Sequence, residues 1–203
     1  ILFIVDKKKS SKKYGFKVVS DIKNYSKLSK KCKNVFVAVG QIKNNLIRKK
    51  IIKKLERYGF IFPSIISPLA HVSELSKIGK GNIIMHGCII NAGSKIGDHN
   101  ILNSKSLIEH DVQIGNYCHI STGTIINGDC KINDDTFIGS GSILKQGIVI
   151  KNKSLIGMSS IIKHSNWRKN LKKINIIAEI GVNHCGKLQL AKKIIDLSKK
   201  IGA

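Results

Sequence analysis

From Val72 to Ile162 a branched aliphatic occupies every sixth position. The series runs through Ile78, Ile84, Ile90, Ile96 and Leu102 to Leu144, Ile150 and Ile156 without a missed step or an insertion. Sandwich strands would alternate with a period of two and be joined by uneven loops. A period of six is a hexapeptide repeat, in which a short strand and a turn make one side of a triangular coil of about 18 residues. The pattern therefore predicts a left-handed parallel β-helix whose coils stack ~4.8 Å apart. Its inward residues fall into three ladders: Ile78, Ile96, Ile114, Ile132, Ile150; Ile84, Leu102, Ile120, Ile138, Ile156; and Val72, Ile90, Ile108, Ile126, Leu144, Ile162. β-Branched side chains suit such a packed wall, and each one buried contributes ~1.5–3 kcal/mol before entropy. Gly79, Gly97, Gly115, Gly139 and Gly157 directly follow inward positions, and Gly81, Gly87, Gly93, Gly123, Gly141 and Gly147 recur at a second offset. Both sets are expected in turns where left-handed backbone is least costly for glycine. No proline follows Pro68, as an uninterrupted strand ladder requires.

The pattern changes on either side. Residues 1–66 read as a partial, Rossmann-like α/β domain. Strands are expected at Ile1–Val5, Phe16–Val19 and Val35–Val39, the last closed by Gly40. A helix is expected over 42–58, with Ile42, Leu46, Ile51, Ile52 and Leu55 on one face, Lys and Arg on the other, and Gly59 as its stop. Phe60–Ile65 reads as a returning strand, and Pro63 and Pro68 mark the passage into the β-helix of 67–165. In the remaining segment, 166–203, a polar, basic linker leads to an apolar strand at Ile174–Ile180 and a helix over Leu188–Ile201. Thirty residues of this kind cannot bury a core of their own.

Composition narrows the function. The 203 residues carry five cysteines, an odd number without a CxxC pair, which fits reduced thiols in the cytoplasm better than a disulfide frame or a zinc site. The apolar opening before Asp6 is too short for a signal peptide, and no stretch approaches the ~18 apolar residues of a membrane span. A formal charge of +24 raises the question of nucleic acid. Lysine dominates it, however, in clusters outside the β-helix (Lys7–Lys9, Lys49–Lys54, Lys169–Lys173) without interleaved aromatics. Attraction for anionic cofactors is the milder inference. His71, His86, His99 and His164 have no metal-ligand spacing, and no metal is expected.

The stretch Ile108-Glu-His-Asp-Val-Gln-Ile-Gly-Asn-Tyr-Cys-His-Ile120, with the front-end motifs Ile4-Val-Asp6, Val35-Phe-Val-Ala-Val-Gly40 and Asn45–Arg48 and the crossover Ser67-Pro-Leu-Ala-His71, resembles the sialic acid O-acetyltransferase and UDP-amino-sugar N-acetyltransferase family. The resemblance covers roughly residues 1–162. It implies acetyl-CoA as co-substrate, a sugar or nucleotide-sugar acceptor, and a homotrimer with clefts at its subunit boundaries. Acetyl transfer needs a base for the acceptor and a donor for the oxyanion. The family motif makes His110 the base and Asp111, or else Glu109, the group that holds its tautomer. The same resemblance places His119, the Asn103 side chain and the Gly128 backbone N–H at the cleft, and Asp6 and Lys7 against the nucleotide or sugar. His110 and His119, half a coil apart, are expected on different sides of the triangle and would meet only across an interface between chains.

The Gly-rich turn that follows the family's first strand is absent, so the chain reads as truncated at its front. His164-Ser-Asn-Trp-Arg-Lys stands where the family has a Gly-Asn-Pro-Ala type segment. Ile176-Ile-Ala-Glu-Ile-Gly-Val-Asn-His-Cys-Gly186 resembles the opening of sialic acid synthases, the first βα unit of a barrel. Together these imply a sugar O-acetyltransferase of sialic acid metabolism. The alternatives are N-acetylation of a UDP-4-amino sugar and an inactive trimeric scaffold.

Overall fold

The structure, a computed structural model, describes residues 4–5, 12–13, 15–19, 25–42 and 44–165, together with Gln189, Lys192 and Asp196. Two-residue strands recur every six residues from Ile65–Ile66 to Ile161–Ile162 and form three parallel sheets. Their register is 18 residues throughout: Ile83 pairs with Ile101 and Ile101 with His119, while Ile108 pairs with Ile126 and Ile114 with Ile132. This is the expected β-helix, of about five coils. Its first face runs from Ile65–Ile66 to Leu155–Ile156, its second from His71–Val72 to Ile161–Ile162, and its third from Lys77–Ile78 to Val149–Ile150. The three anticipated ladders are its core: Ile84, Ile90, Leu102, Ile108, Ile120, Ile126, Ile138 and Leu144 are almost wholly excluded from solvent. The first strand begins one step before the regular series, and its Ile66 is still half-exposed at the open end.

The corners correct one expectation. Left-handed backbone occurs at every sixth residue from Gly81 to Ser159, and eight of these positions are not glycine: His99, Lys105, Asp111, Tyr117, Asp129, Asp135, Lys153 and Ser159. The glycines directly after inward residues do not adopt it. They are small for another reason, the close approach of the next coil: a Cβ on Gly97 would lie 2.6 Å from the Gly115 carbonyl oxygen, and one on Gly139 2.6 Å from the Gly157 carbonyl carbon.

The corner between the third and first faces is further locked by side chains. Asn82 Oδ1 accepts from the Asn100 N–H (2.8 Å) and Asn100 Oδ1 from the Cys118 N–H (2.7 Å), while their amide nitrogens donate to the Gly97 and Gly115 carbonyls. These buried amides are fully engaged, as their removal from water demands.

In the N-terminal segment, β1 (Ile4–Val5) pairs in parallel with β3 (Phe16–Val19), and β2 (Lys12–Lys13) pairs antiparallel to β3. Helices α1 (Tyr25–Lys31) and α2 (Leu46–Glu56) follow. Neither Val35–Val39 nor Phe60–Ile65 forms the expected strand. A single parallel bridge, Asn34 to Ile61, replaces them, and Ile65 belongs to the β-helix. Gly59 does stop α2: at φ +72 it lets its own N–H reach the Glu56 carbonyl and that of Phe60 reach Leu55, a Schellman closure. The buried face of α2 is Arg48, Ile52 and Leu55, packed with Tyr25, Leu28, Val37 and Phe62. Ile42 and Leu46, expected on that face, are instead exposed, and Arg48, expected in solvent, is buried.

The chain divides into two units, Ile1–Ser165 and Asn166–Ala203. In the second unit, Gln189, Lys192 and Asp196 are helical. The strand expected at Ile174–Ile180 and the synthase-like motif lie outside the described residues, as do Asp6 and Lys7. No helix among the described residues is long and apolar enough to cross a membrane.

Candidate active site

His110 sits at the corner between the second and third faces, two residues past inward Ile108. The bend turns it out of the core, so that its side chain is 56% exposed. Asp111, in left-handed backbone, brings its carboxylate back to the imidazole: Nδ1 lies 3.0 Å from Asp111 Oδ2. This hydrogen bond, reinforced by the charges of Asp111, Glu109 and Asp129, raises the His110 pKa above its ordinary value. Glu109 is occupied elsewhere, since its Oε2 accepts from Asn91 Nδ2 at 2.9 Å. Of the two carboxylates weighed from the sequence, Asp111 is therefore the one in contact with the imidazole.

One coil further along, at the same place in the repeat, lies Gly128. The free edge of the imidazole covers it: a Cβ there would come within 2.6 Å of both Cε1 and Nε2. Only glycine lets the ring lie so close to the backbone. Among the described residues the Gly128 N–H donates no backbone hydrogen bond, because the second residue past each inward position lies outside the strand ladder. At the corner between the third and first faces, the equivalent N–H groups of Lys80, Asp98 and Asn116 are taken by side-chain oxygens at 2.7–2.9 Å. Among the described residues the His110 corner has no such caps. Here an exposed imidazole and its carboxylate stand over a buried glycine of the next coil.

Asn103 and His119 lie on other parts of the coil. Asn103 is on the corner between the first and second faces, with its Oδ1 accepting from the Ser104 N–H (2.8 Å). His119 is on a strand of the first face rather than in a turn, and it is buried. Its Nδ1 donates to the Gln41 carbonyl at 2.5 Å, and Phe137 meets it edge-on with centroids 5.2 Å apart. Burial lowers its pKa, so the ring is neutral, with the proton on Nδ1.

Around His119 the N-terminal segment docks on the β-helix, through contacts that the sequence reading did not anticipate. Gln41 Nε2 donates to the Tyr117 carbonyl (2.6 Å), Asn45 Nδ2 to Asp135 Oδ1 (2.6 Å), and Lys49 pairs with the same carboxylate. Tyr117 stacks on His99 at 5.2 Å, and Phe62 meets His99 edge-on. Arg48 donates from beneath to the Val37 and Val39 carbonyls, and burial brings its pKa down to about 10, which leaves it charged at neutral pH. His99, Tyr117 and Asp135 share one left-handed column at 18-residue spacing, a signal that could have flagged the docking corner. A cleft of about 440 Å³ opens beside it, lined by Gln41, Ile42, Asn45, Lys49, Phe137 and Lys153 among others.

Residues 111–146 match the bacterial transferase hexapeptide (six repeats) family, and residues 1–55 match the PglD N-terminal domain. PerB from Caulobacter crescentus, solved in complex with CoA and GDP-perosamine, is 29% identical with a TM-score of 0.70, over 74% of this chain and 72% of that one. The acetyltransferase domain of PglB from Neisseria gonorrhoeae, solved with acetyl coenzyme A, is 28% identical with a TM-score of 0.70, over 79% of this chain and 78% of that one. The hexapeptide match and the likeness to acetyltransferases solved with CoA or acetyl-CoA make the chain an acyltransferase. A further relative, WeeI from Acinetobacter baumannii, is 25% identical with a TM-score of 0.69, over 80% of this chain and 78% of that one. No curated protein matches the acyltransferase in a sequence comparison. Among its described residues no group of His, Cys, Asp and Glu is arranged to hold a metal ion.

Proposed function

We propose that this acyltransferase moves the acetyl group of acetyl-CoA onto the amino group of a nucleotide-linked amino sugar. The observation that carries the reading is the His110–Asp111–Gly128 corner on a chain similar to PerB, which was solved with CoA and GDP-perosamine. In the proposed reaction the acceptor nitrogen attacks the thioester carbonyl while His110 Nε2 takes its proton. Asp111 holds the other ring nitrogen protonated and steadies the imidazolium that forms. The Gly128 N–H donates to the developing oxyanion. Collapse of the tetrahedral intermediate breaks the carbon–sulfur bond, and the CoA thiolate leaves and takes up the proton that His110 had accepted.

His119, Asn103, Asp6 and Lys7 are assigned to acceptor binding, with His119 beside the cleft at Gln41. Since His110 stands on a corner and His119 on a strand of the first face, half a coil away, the reading includes a cytoplasmic homotrimer in which one chain's His110 faces a neighbour's cleft. Two unmatched apolar surfaces support it. The outer ladder of the second face includes exposed Ile89, Ile143 and Ile161, and Ile42, Leu46 and Ile47 are exposed at the start of α2. A three-fold ring needs two different patches of this kind.

The synthase-like motif in the tail favours a second reading, O-acetylation of a sialic acid. Free-thiol release from acetyl-CoA separates the two, with GDP-perosamine, UDP-4-amino sugars and sialic acids offered in turn and His110→Ala alongside. Release with an amino-sugar nucleotide that the substitution abolishes is the expected result. Release with sialic acid alone would establish the second reading, and no release from a folded trimer would leave the scaffold reading in its place.

A further inference from the structure

The coil before His110 is uncharged at this corner, yet the carboxylates beside the histidine rest against it. Its corner residues are Asn91, Ala92 and Gly93, one repeat before Glu109, His110 and Asp111. The backbone ties the two levels together: the Asn91 N–H donates to the Ile108 carbonyl (2.9 Å) and the Asp111 N–H to the Ala92 carbonyl (3.0 Å). Ser94 Oγ donates to the Glu109 carbonyl at 2.7 Å. The side chains then divide. Glu109 Oε2 accepts from Asn91 Nδ2 at 2.9 Å. Asp111 Oδ2 meets the imidazole, and Oδ1 lies over Gly93. A Cβ on Gly93 would fall on that oxygen and stand 3.2 Å from Cγ. Left-handed backbone alone does not explain the glycine, whose φ is +73. Asp111 and Asp129 hold the same position in the next two coils at φ 61 and 58. By contrast Gly123, at φ +65 on another corner, has nothing within 4 Å of a Cβ.

We propose that Gly93 is a positioning residue for the base, the seat that keeps the Asp111 carboxylate on His110. This rests on the reading of His110 as the base. With one oxygen on Nδ1 and the other over a bare Cα, the carboxylate is bounded on both sides. A methyl at Gly93 leaves it no room, and the Asp111 backbone cannot yield because its N–H is bonded to that same coil. A single methylene joins the carboxylate to the backbone, so turning the group away from Gly93 also takes Oδ2 off the ring. No other carboxylate takes its place. Glu109 is engaged by Asn91, and Asp129 acts on His110 through its charge rather than a hydrogen bond. Asp111, Glu109 and Asp129 are the charged groups that face the ring, two from its own coil and one from the next, and the coil before adds only neutral residues. A neutral seat fixes the geometry of the pair without adding a charge of its own to the site.

The test reads His110 directly, by NMR titration of its ring Cε1–H, with pH–rate profiles of thiol release alongside. The proteins are wild type, Gly93→Ala, Asp111→Asn, the two substitutions together, and Gly123→Ala. Gly93→Ala is expected to lower the His110 midpoint and to cost about tenfold on the plateau of the rate profile, as Asp111→Asn does. Combined with Asp111→Asn it should change the midpoint no further, because the carboxylate it displaces is already gone. Gly123→Ala introduces the same left-handed strain with no neighbour to displace, and should leave the midpoint in place. Gly93→Asn guards against misfolding: asparagine tolerates left-handed backbone better than alanine and brings the same Cβ, so it must lower the midpoint too. A midpoint that stays put in both Gly93 variants would overturn the proposal, as would one that Gly123→Ala moves equally. The midpoint needs no substrate, which separates the seat from the function. A wild type that releases no thiol with any acceptor fails as an acetyltransferase, while its titration still decides whether Gly93 seats the carboxylate.

Discussion

Two corners of the same repeat have been put to opposite uses. Between the third and first faces, the amides of Asn82 and Asn100 tie each coil to the next, and the N-terminal segment covers His99, Tyr117 and His119. Between the second and third faces, the equivalent backbone donor at Gly128 is left uncapped, and His110 stands in solvent against one carboxylate. Both corners share one backbone, down to the left-handed residue at each turn. The side chains alone decide which corner becomes a joint and which stays open, the open one carrying the proposed base. The two histidines record the difference: the exposed one, beside Asp111, has its pKa raised, and the buried one has its pKa lowered.

Removing the base is the strongest way to test that contrast. His110→Ala is expected to cost ~10²–10⁴-fold in thiol release, with thermal unfolding close to wild type because the ring is largely exposed. A large fall in melting temperature would mean that this corner is structural after all. Gly128→Ala comes next. Its Cβ would displace the imidazole and crowd the oxyanion donor, and a loss of ~10²-fold is expected, again with the fold retained. Wild-type turnover in that variant would remove Gly128 from the site.

Asp111→Asn is smaller in rate and more telling in pH. The carboxylate holds the imidazole protonated to higher pH, so the neutral base fills in only above the ordinary value of about 6.5. Without the carboxylate the acid limb of the pH–rate profile should move to lower pH, while the rate on the plateau falls about tenfold. A limb that stays in place would mean that another group titrates there.

The smallest effect belongs to the joint. His119 has a depressed pKa in the fold, as does His99. The stability each contributes is therefore present above the unfolded value of about 6.5 and is lost as pH falls through the lower folded value. Melting should show the N-terminal segment weakening between neutral and mildly acid pH, and His119→Leu should flatten that slope while costing ~1–2 kcal/mol at neutral pH through the stranded Gln41 carbonyl. An unchanged slope would place the acid sensitivity elsewhere.

The β-helix could be read almost residue by residue from the sequence. Its interactions repeat every 18 residues, so a local period reports a tertiary contact directly, and the inward ladders needed no further information. The N-terminal segment was less legible. Val35–Val39 looked like a strand by composition yet pairs with nothing beyond the Asn34–Ile61 bridge. Ile42 and Leu46 had helical spacing with the buried residues yet point away, and Arg48 lies inside, where two backbone carbonyls hold it. No periodicity announces a cation that is buried to satisfy carbonyls.

The candidate site divides the same way. The 18-residue offset between His110 and Gly128 is one coil, which sets them one above the other, whereas the left-handed turn at Asp111 that folds a neighbouring carboxylate back onto the ring came from the structure. What the sequence by itself determined was the period, and through it the core, the coil length and the stacking of one corner's residues, because in a solenoid each contact is a fixed number of residues away. Only the tertiary structure decided that Asp111 rather than Glu109 meets the imidazole, that His119 lies beneath Gln41, and that Asn45 and Lys49 reach Asp135. Those contacts join segments with no common period, and packing, burial and the need to satisfy buried polar atoms set them.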